Sequence, residues 1–387
     1  MKKVGFVLVI LAILYWILTL VITPIIDSEF NPVLHKPPYV VSEKATSLYN
    51  SLDFVGDLHC DALLWDRDLL SRNNRGQVDI PRMIEGNMAL QAFTIVTKSP
   101  KGQNMDQNTG ETDNITSLVI AQGRGIDGWF SLYERAIDQC EELHQFAEKS
   151  DGKFRVVHDR NEFQTFLDDR KSNQELACGY LGVEGGHCLE GKLENVDKLW
   201  DAGVRMMGPT HFFDNELGGS AHGVSHAELT DFGKDVIKRM YGLGMIIDVA
   251  HSSEAIIDDV LTITTKPILT SHTGVKGTLN SKRNLSDKHI RAIAETGGLI
   301  GVAFFPEAIG DASPETIVKT MKYVKDLVGY EYVALGSDFD GSVTTYFDCT
   351  GFPLLVDKML KQGFTDEEIR GIMGENLKRF LLENLPS

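Results

Sequence analysis

The chain has too few cysteines, in the wrong arrangement, to build a fold on them. Cys60, Cys140, Cys178, Cys188 and Cys349 are odd in number and include no C-x-x-C pair, so neither a disulfide framework nor a cysteine zinc site is indicated. Positive charge is also scarce: 38 Lys and Arg face 55 Asp and Glu, a net charge of -17. No basic cluster is available to neutralise phosphates, which argues against a nucleic-acid partner. Sequence repeats and low-complexity tracts are absent as well.

One stretch lacks charge altogether. After Met1-Lys2-Lys3, residues 4–26 hold no charged side chain. At about 1.5 Å rise per residue such a run spans a hydrocarbon core about 30 Å thick. A cleaved signal peptide is the rival, but the run is long for one and ends Thr23-Pro24-Ile25-Ile26, without a small-residue cleavage site. Residues 1–26 therefore read as an uncleaved single-pass anchor, with Lys2 and Lys3 in the cytoplasm and the remainder on the periplasmic or extracellular side. Residues 27–50, with Pro32, Pro37 and Pro38, read as a semi-rigid tether, and 51–387 as the body.

What is present is an ordinary globular composition, 42% hydrophobic and 24% charged, arranged in alternation. Strands are expected at 54–59, 88–96, 178–184, 204–210, 244–250, 267–272, 298–305 and 332–338. Helices are expected between them, at 131–149, 230–243, 286–296, 314–328 and 365–382, the last opening on the start signal Thr365-Asp366-Glu367-Glu368. Eight strands separated mostly by helices favour an α/β fold of the closed (β/α)₈ TIM-barrel type. Segments 98–129 and 212–228 interrupt the alternation and read as loops on the strand-end face.

Six of the eight apolar runs end in residues that bind metal or move protons: His59-Cys60-Asp61, Glu184, His211, His251, His272 and Asp338-Phe339-Asp340. Strand ends of a parallel barrel all point to one face, so these groups converge. His59 and Asp61 are two apart and on a strand face the same way, able to chelate one ion. Glu184 ends a buried-strand sequence where an unpaired carboxylate is costly, and a bridging place between two cations would compensate it. His251 and His272 close successive strands and are placed for a second ion. Cys60, between His59 and Asp61, points the other way and reads as a small packed residue. His187, His222 and His226 read as polar loop residues.

This series, together with Gly182-Val183-Glu184-Gly185-Gly186-His187 and Arg283-Asn284, closely resembles the membrane dipeptidase (renal dipeptidase) family of zinc peptidases over about residues 53–380, in the same order throughout. The resemblance implies a dinuclear zinc dipeptidase using a water activated between two Zn²⁺. His59 and Asp61 would bind the first zinc, Glu184 would bridge, and His251 and His272 would bind the second. His211 and Arg283 would contact the substrate, His211 stabilising the oxyanion, and Asp338 would transfer the proton. A D-residue at the C-terminal position of the dipeptide is implied as tolerated, and a homodimer is left open.

The family's animal members are held by a C-terminal lipid, whereas this chain carries its apolar run at the front, an arrangement expected of a bacterial enzyme facing outward. Two other functions fit the same residues. One is a metal-dependent amidohydrolase tailoring a modified peptide or cyclic amide, against whose carbamylated-lysine branch Glu184 argues. The other is a membrane-tethered, non-catalytic metal-containing binding protein, which the complete ligand set with Asp338 disfavours.

Overall fold

The computed structural model describes residues 2–387. Nine parallel strands form one sheet: β1 (Gly56–Cys60), β2 (Leu90–Ile95), β3 (Phe154–Val156), β4 (Ala177–Val183), β5 (Val204–Met207), β6 (Ile246–Ile247), β7 (Leu269–Thr273), β8 (Leu299–Val302) and β9 (Val333–Leu335). The neighbour order β6-β5-β4-β2-β1-β9-β8-β7 leaves one seam, between β6 and β7. A parallel bridge from Asp248 to Leu269 closes it, with the Val249 amide donating to the Leu269 carbonyl at 2.8 Å. The Asp248 carboxylate accepts from the Ser271 amide at 2.9 Å, doing by side chain what the two-residue β6 is too short to do by backbone. The result is the expected (β/α)₈ barrel.

β3 is the addition. It pairs with the first residues of β4, Phe154 opposite Ala177, while β5 takes the last ones, Val183 opposite Met207. All seven residues of β4 are buried, as befits a strand covered on both faces. The flanking helices start where side-chain oxygens cap them: Ser131, Thr230, Ser286 and Ser313 each accept an amide three residues on. Thr365 and Glu368 form a reciprocal capping box. The helix expected over 365–382 is broken into Asp366–Arg370, one wider turn and Asn376–Asn384. The break falls at Gly374, whose φ of 172° and ψ of -26° are not helical, and which lies so close under Phe54 that a Cβ would stand 2.4 Å from the Phe54 carbonyl oxygen.

The N-terminus is helical from Lys2 to Phe30, passing through a wider turn at Leu18–Ile22. Val4–Phe30 is the one helix among the described residues long and apolar enough to cross a membrane, its most apolar 18-residue stretch having a mean hydropathy of 2.8. The segment beyond it differs from the expected tether. Leu34 and His35 donate amides to the Thr345 and Tyr346 carbonyls at 3.0 and 2.9 Å, Ser42 donates its amide to Asp357 at 3.1 Å, and the helix Glu43–Asn50 buries Ala45, Leu48 and Tyr49. Proline leaves backbone carbonyls and neighbouring amides without a regular ladder, and here they find partners on the barrel instead of on water.

Candidate metal centre

The polar strand endings meet at the C-terminal mouth of the barrel around the Glu184 carboxylate. Its Oε1 lies 3.5 Å from His59 Nε2, 3.1 Å from His251 Nε2 and 3.4 Å from His272 Nε2. Oε2 lies 3.1 Å from His211 Nε2. On the far side of His59, the same Nε2 is 3.4 Å from Asp61 Oδ1 and 3.6 Å from Asp338 Oδ1. Three overlapping groups of ligand-type atoms result: His59, Glu184 and His272; Glu184, His211 and His251; His59, Asp61 and Asp338. All eight sequence-nominated residues, Arg283 included, are at most 7% exposed.

The donor chemistry fits divalent cations. His59 Nε2 and Glu184 Oε1 are buried without a hydrogen-bond partner despite their closeness, and His251 Nε2 faces His272 Nε2 at 2.9 Å. Lone pairs aimed at one another call for a Lewis acid between them. Ser271 Oγ sits 3.0 Å from both His59 Nδ1 and His272 Nδ1, orienting the two rings from behind. Thr94 Oγ1 does the same for Asp61, donating at 2.6 Å. Burial holds His251 and His272 well below the usual imidazole range, helped by the Arg283 and His59 charges respectively, so both are neutral and able to ligate. Burial alone would also lower His59, but Glu184 and Asp61 outweigh it and hold it high. Burial pushes Glu184 up to about 7 and raises Asp338 well above the carboxylate range, the sign of buried negative charge that a cation would compensate.

Arg283 lies beside this cluster, donating from Nη2 to the His272 carbonyl at 2.6 Å and from Nη1 to Thr273 Oγ1 at 3.3 Å. Its Nε has no partner. Together with Asp61, Glu184, His211, His251 and Asp338 it lines a cavity of about 440 Å³, within the range of about 300–1,000 Å³ usual for small-molecule sites. Segment 98–129 forms part of its wall through Ser99, Gln103, Asn104, Met105 and Ile115, and contains a helix, Ile115–Ala121.

Several placements differ from the sequence reading. Asp340 does not share the face of Asp338: it is fully buried and pairs with Arg67 Nη2 at 2.7 Å. His187 and His222 are buried rather than polar loop residues, His222 stacked on Phe212 with ring centroids 4.4 Å apart. Asp57, Asp248, Ser271 and Ser337 support the centre and were not singled out. Asp57 accepts from Gln91 Nε2, the Ser337 amide and Ser337 Oγ at 2.7–2.8 Å. The signal for it was there, since Asp57, His59 and Asp61 alternate on one strand face. All five cysteines are free and buried.

Residues 42–384 match the family model described as membrane dipeptidase (Peptidase family M19). Dipeptidase verJ from Clonostachys rogersoniana is 28% identical over 264 residues, 66% of each chain, so the match spans just under two thirds of that protein. A metallo peptidase from Rhodobacter sphaeroides, solved with a phosphinate mimic of the dipeptide L-Ala-D-Ala, superposes with a TM-score of 0.70 at 22% identity, covering 87% of this chain and 100% of that one. The probable dipeptidase PvdM from Pseudomonas aeruginosa gives a TM-score of 0.74 at 18% identity, over 89% and 98%. At such identities the structures speak for the fold, and the family model speaks for descent: the chain belongs to the membrane dipeptidase family, peptidase family M19, a family of metallo-dipeptidases.

Proposed function

We propose that this protein is a dinuclear zinc dipeptidase anchored by its N-terminal helix, hydrolysing dipeptides outside the cytoplasmic membrane. The observation that carries the proposal is the Glu184 carboxylate in contact with four imidazoles, a buried charge at the point where two cations would share a ligand. His59 and Asp61 would hold one ion, His251 and His272 the other, and Glu184 would serve both. When bound there, two such ions would supply the Lewis acidity that makes water nucleophilic near neutrality and polarises a carbonyl.

The remaining residues bind and move protons. His211, in reach of Glu184 but backed by no partner at Nδ1, donates a hydrogen bond to the developing oxyanion. Asp338, whose carboxyl is held protonatable by burial, takes the proton of the attacking water and delivers it to the leaving amine. Arg283 offers its unpartnered Nε–H to the carboxylate of the substrate's second residue. Because that clamp and the metals fix only the carboxylate and the first residue's carbonyl, a D-residue in second position fits. The Rhodobacter sphaeroides relative was solved with a mimic of an L,D dipeptide. Lys2 and Lys3 ahead of the apolar run keep the N-terminus cytoplasmic and the barrel outside.

The test is turnover of one L,L dipeptide, its L,D isomer, its C-terminal amide and the corresponding tripeptide by zinc-loaded protein. Both dipeptides should be cleaved, and the amide and tripeptide should not. Cleavage of the amide or tripeptide refutes the clamp. Inactivity on all four, with metal bound, refutes the dipeptidase.

A further inference from the structure

The loop that follows β9 and carries Asp338 is held in an improbable backbone. Asp338, Asp340 and Ser342, none of them glycine, have φ of 61°, 63° and 60°. L-residues populate the left-handed region sparsely, and three alternating in five positions persist only where the surroundings over-determine them. Part of that restraint comes from the barrel. Asp340 Oδ1 and Oδ2 accept from the Gln77 and Val78 amides at 2.7 and 3.2 Å, its own amide donates to Gln77 Oε1 at 2.6 Å, and Trp65 Nε1 donates to its carbonyl at 2.6 Å.

The rest comes from the end of the N-terminal helix. Asp27 and Asn31 are each 2% exposed, an unusual depth for polar residues closing an apolar helix. Asn31 Oδ1 accepts the Ser342 amide at 3.0 Å, and Asn31 Nδ2 donates to Asp27 Oδ1 at 2.9 Å. Asp27 Oδ2 accepts from Arg75 Nε at 2.9 Å and lies 3.5 Å from Arg67 Nε. Arg67, 3% exposed, reaches on to Asp340 Oδ2 with Nη2. A continuous buried chain thus runs Asn31, Asp27, Arg67, Asp340, and its two ends grip the same loop at Ser342 and Asp340. Just beyond, the Thr345 amide donates to the Pro32 carbonyl at 3.1 Å, so the contact is a seam and not a single point.

We propose that Asp27 and Asn31 are positioning residues for Asp338, and that the N-terminal helix is therefore part of the catalytic frame as well as an anchor. The proposal rests on the reading of Asp338 as the proton carrier. Loss of either contact frees Ser342 or Asp340 to relax out of the left-handed region, and Asp338, two to four residues away on the same short loop, shifts with it. Glu184, His251, His272 and Arg283 lie at or beyond the ends of other strands and stay in place, and Asp61, whose amide donates to the Phe339 carbonyl at 2.9 Å, keeps its carboxylate on Thr94 Oγ1, so the fault falls on the proton-transfer step and not on binding.

The experiment uses full-length, zinc-loaded protein in detergent micelles, with Asn31→Ala and Asp27→Asn compared with wild type. Ser28→Ala is the control, since that hydroxyl bonds only within its helix, to the Pro24 carbonyl. Both variants should lose about tenfold to a hundredfold in kcat on a dipeptide, with KM and bound zinc unchanged. Amide hydrogen exchange across residues 339–343 should quicken, while Ser28→Ala behaves as wild type. A kcat and loop exchange equal to wild type in Asn31→Ala, assayed well below its melting temperature, overturns the proposal. So does a fall in activity that merely tracks lost zinc. Exchange in the loop reads the contact without substrate, so a wild type that cleaves no dipeptide refutes the functional reading while leaving this one decided.

Discussion

Glu184→Gln is the perturbation with the most to say, because it keeps the shape of the central side chain and removes its charge. In wild-type protein stripped by a chelator, burial pushes the Glu184 carboxyl up to about 7. A carboxyl raised from 4.5 binds more protons folded than unfolded, so its stabilising contribution is full below pH 4.5 and is lost as pH rises through 7. The difference, at about 1.4 kcal/mol per pH unit, is about 3 kcal/mol. Gln does not titrate. Metal-free Glu184→Gln should therefore lack this fall between pH 4.5 and 7, while His59, which Glu184 helps hold high, should lose its proton at lower pH. With zinc the variant is the weaker: two doubly charged ions would lose a shared anion, and one unit charge at 4 Å is worth about 4 kcal/mol even at an effective dielectric of 20. A loss of about a hundredfold or more in zinc affinity is the minimum, exceeding what outer partners of a ligand give. Thermal unfolding from pH 4.5 to 8, with and without zinc, reads both halves. If metal-free Glu184→Gln keeps the wild-type fall between pH 4.5 and 7, or the variant still gains the wild-type stabilisation from zinc, the central place of Glu184 is refuted.

Three further outcomes follow from the same geometry. Asp338→Asn should keep both zinc ions and lose about 10²–10⁴-fold in turnover; loss of zinc instead marks Asp338, 3.6 Å from His59, as a ligand. Arg283→Ala should raise KM for dipeptides while leaving zinc content intact, and unchanged discrimination between a dipeptide and its amide sinks the clamp. Burial holds the His187 imidazole down at about 3, so the unfolded chain binds the extra proton below pH 6.5 and stability falls from there toward pH 3. His187→Phe should flatten that slope in an acid melt, and an unchanged slope contradicts it.

The barrel was legible because its strands are apolar runs that stop at a polar residue, a pattern set by burial on both faces and function at one end. β3 was not: three residues including Arg155 carry too little pattern to stand out from a loop. The metal-type cluster was legible for the same reason as the strands, and what escaped were the groups behind it. Ser271 and Ser337 look like any serine until the fold sets them against a ring nitrogen or Asp57. The Asp338 and Asp340 pair shows why a spacing rule fails at an element's end. Two-residue alternation holds on a strand, but β9 stops at Leu335 and the left-handed turns beyond it send Asp338 into the cavity and Asp340 to Arg67. Docking of residues 31–50 depends on partners some three hundred residues away, which no local pattern encodes.

The proposed dipeptide hydrolysis needs two metal ions at one carboxylate. Chelator-treated full-length protein should be titrated with zinc while hydrolysis of a single L,D dipeptide is followed. Activity should rise to a plateau that breaks at two equivalents of zinc per chain, and Glu184→Gln should show no such break. A plateau at one equivalent, or zinc bound at two equivalents with no hydrolysis, would contradict the account.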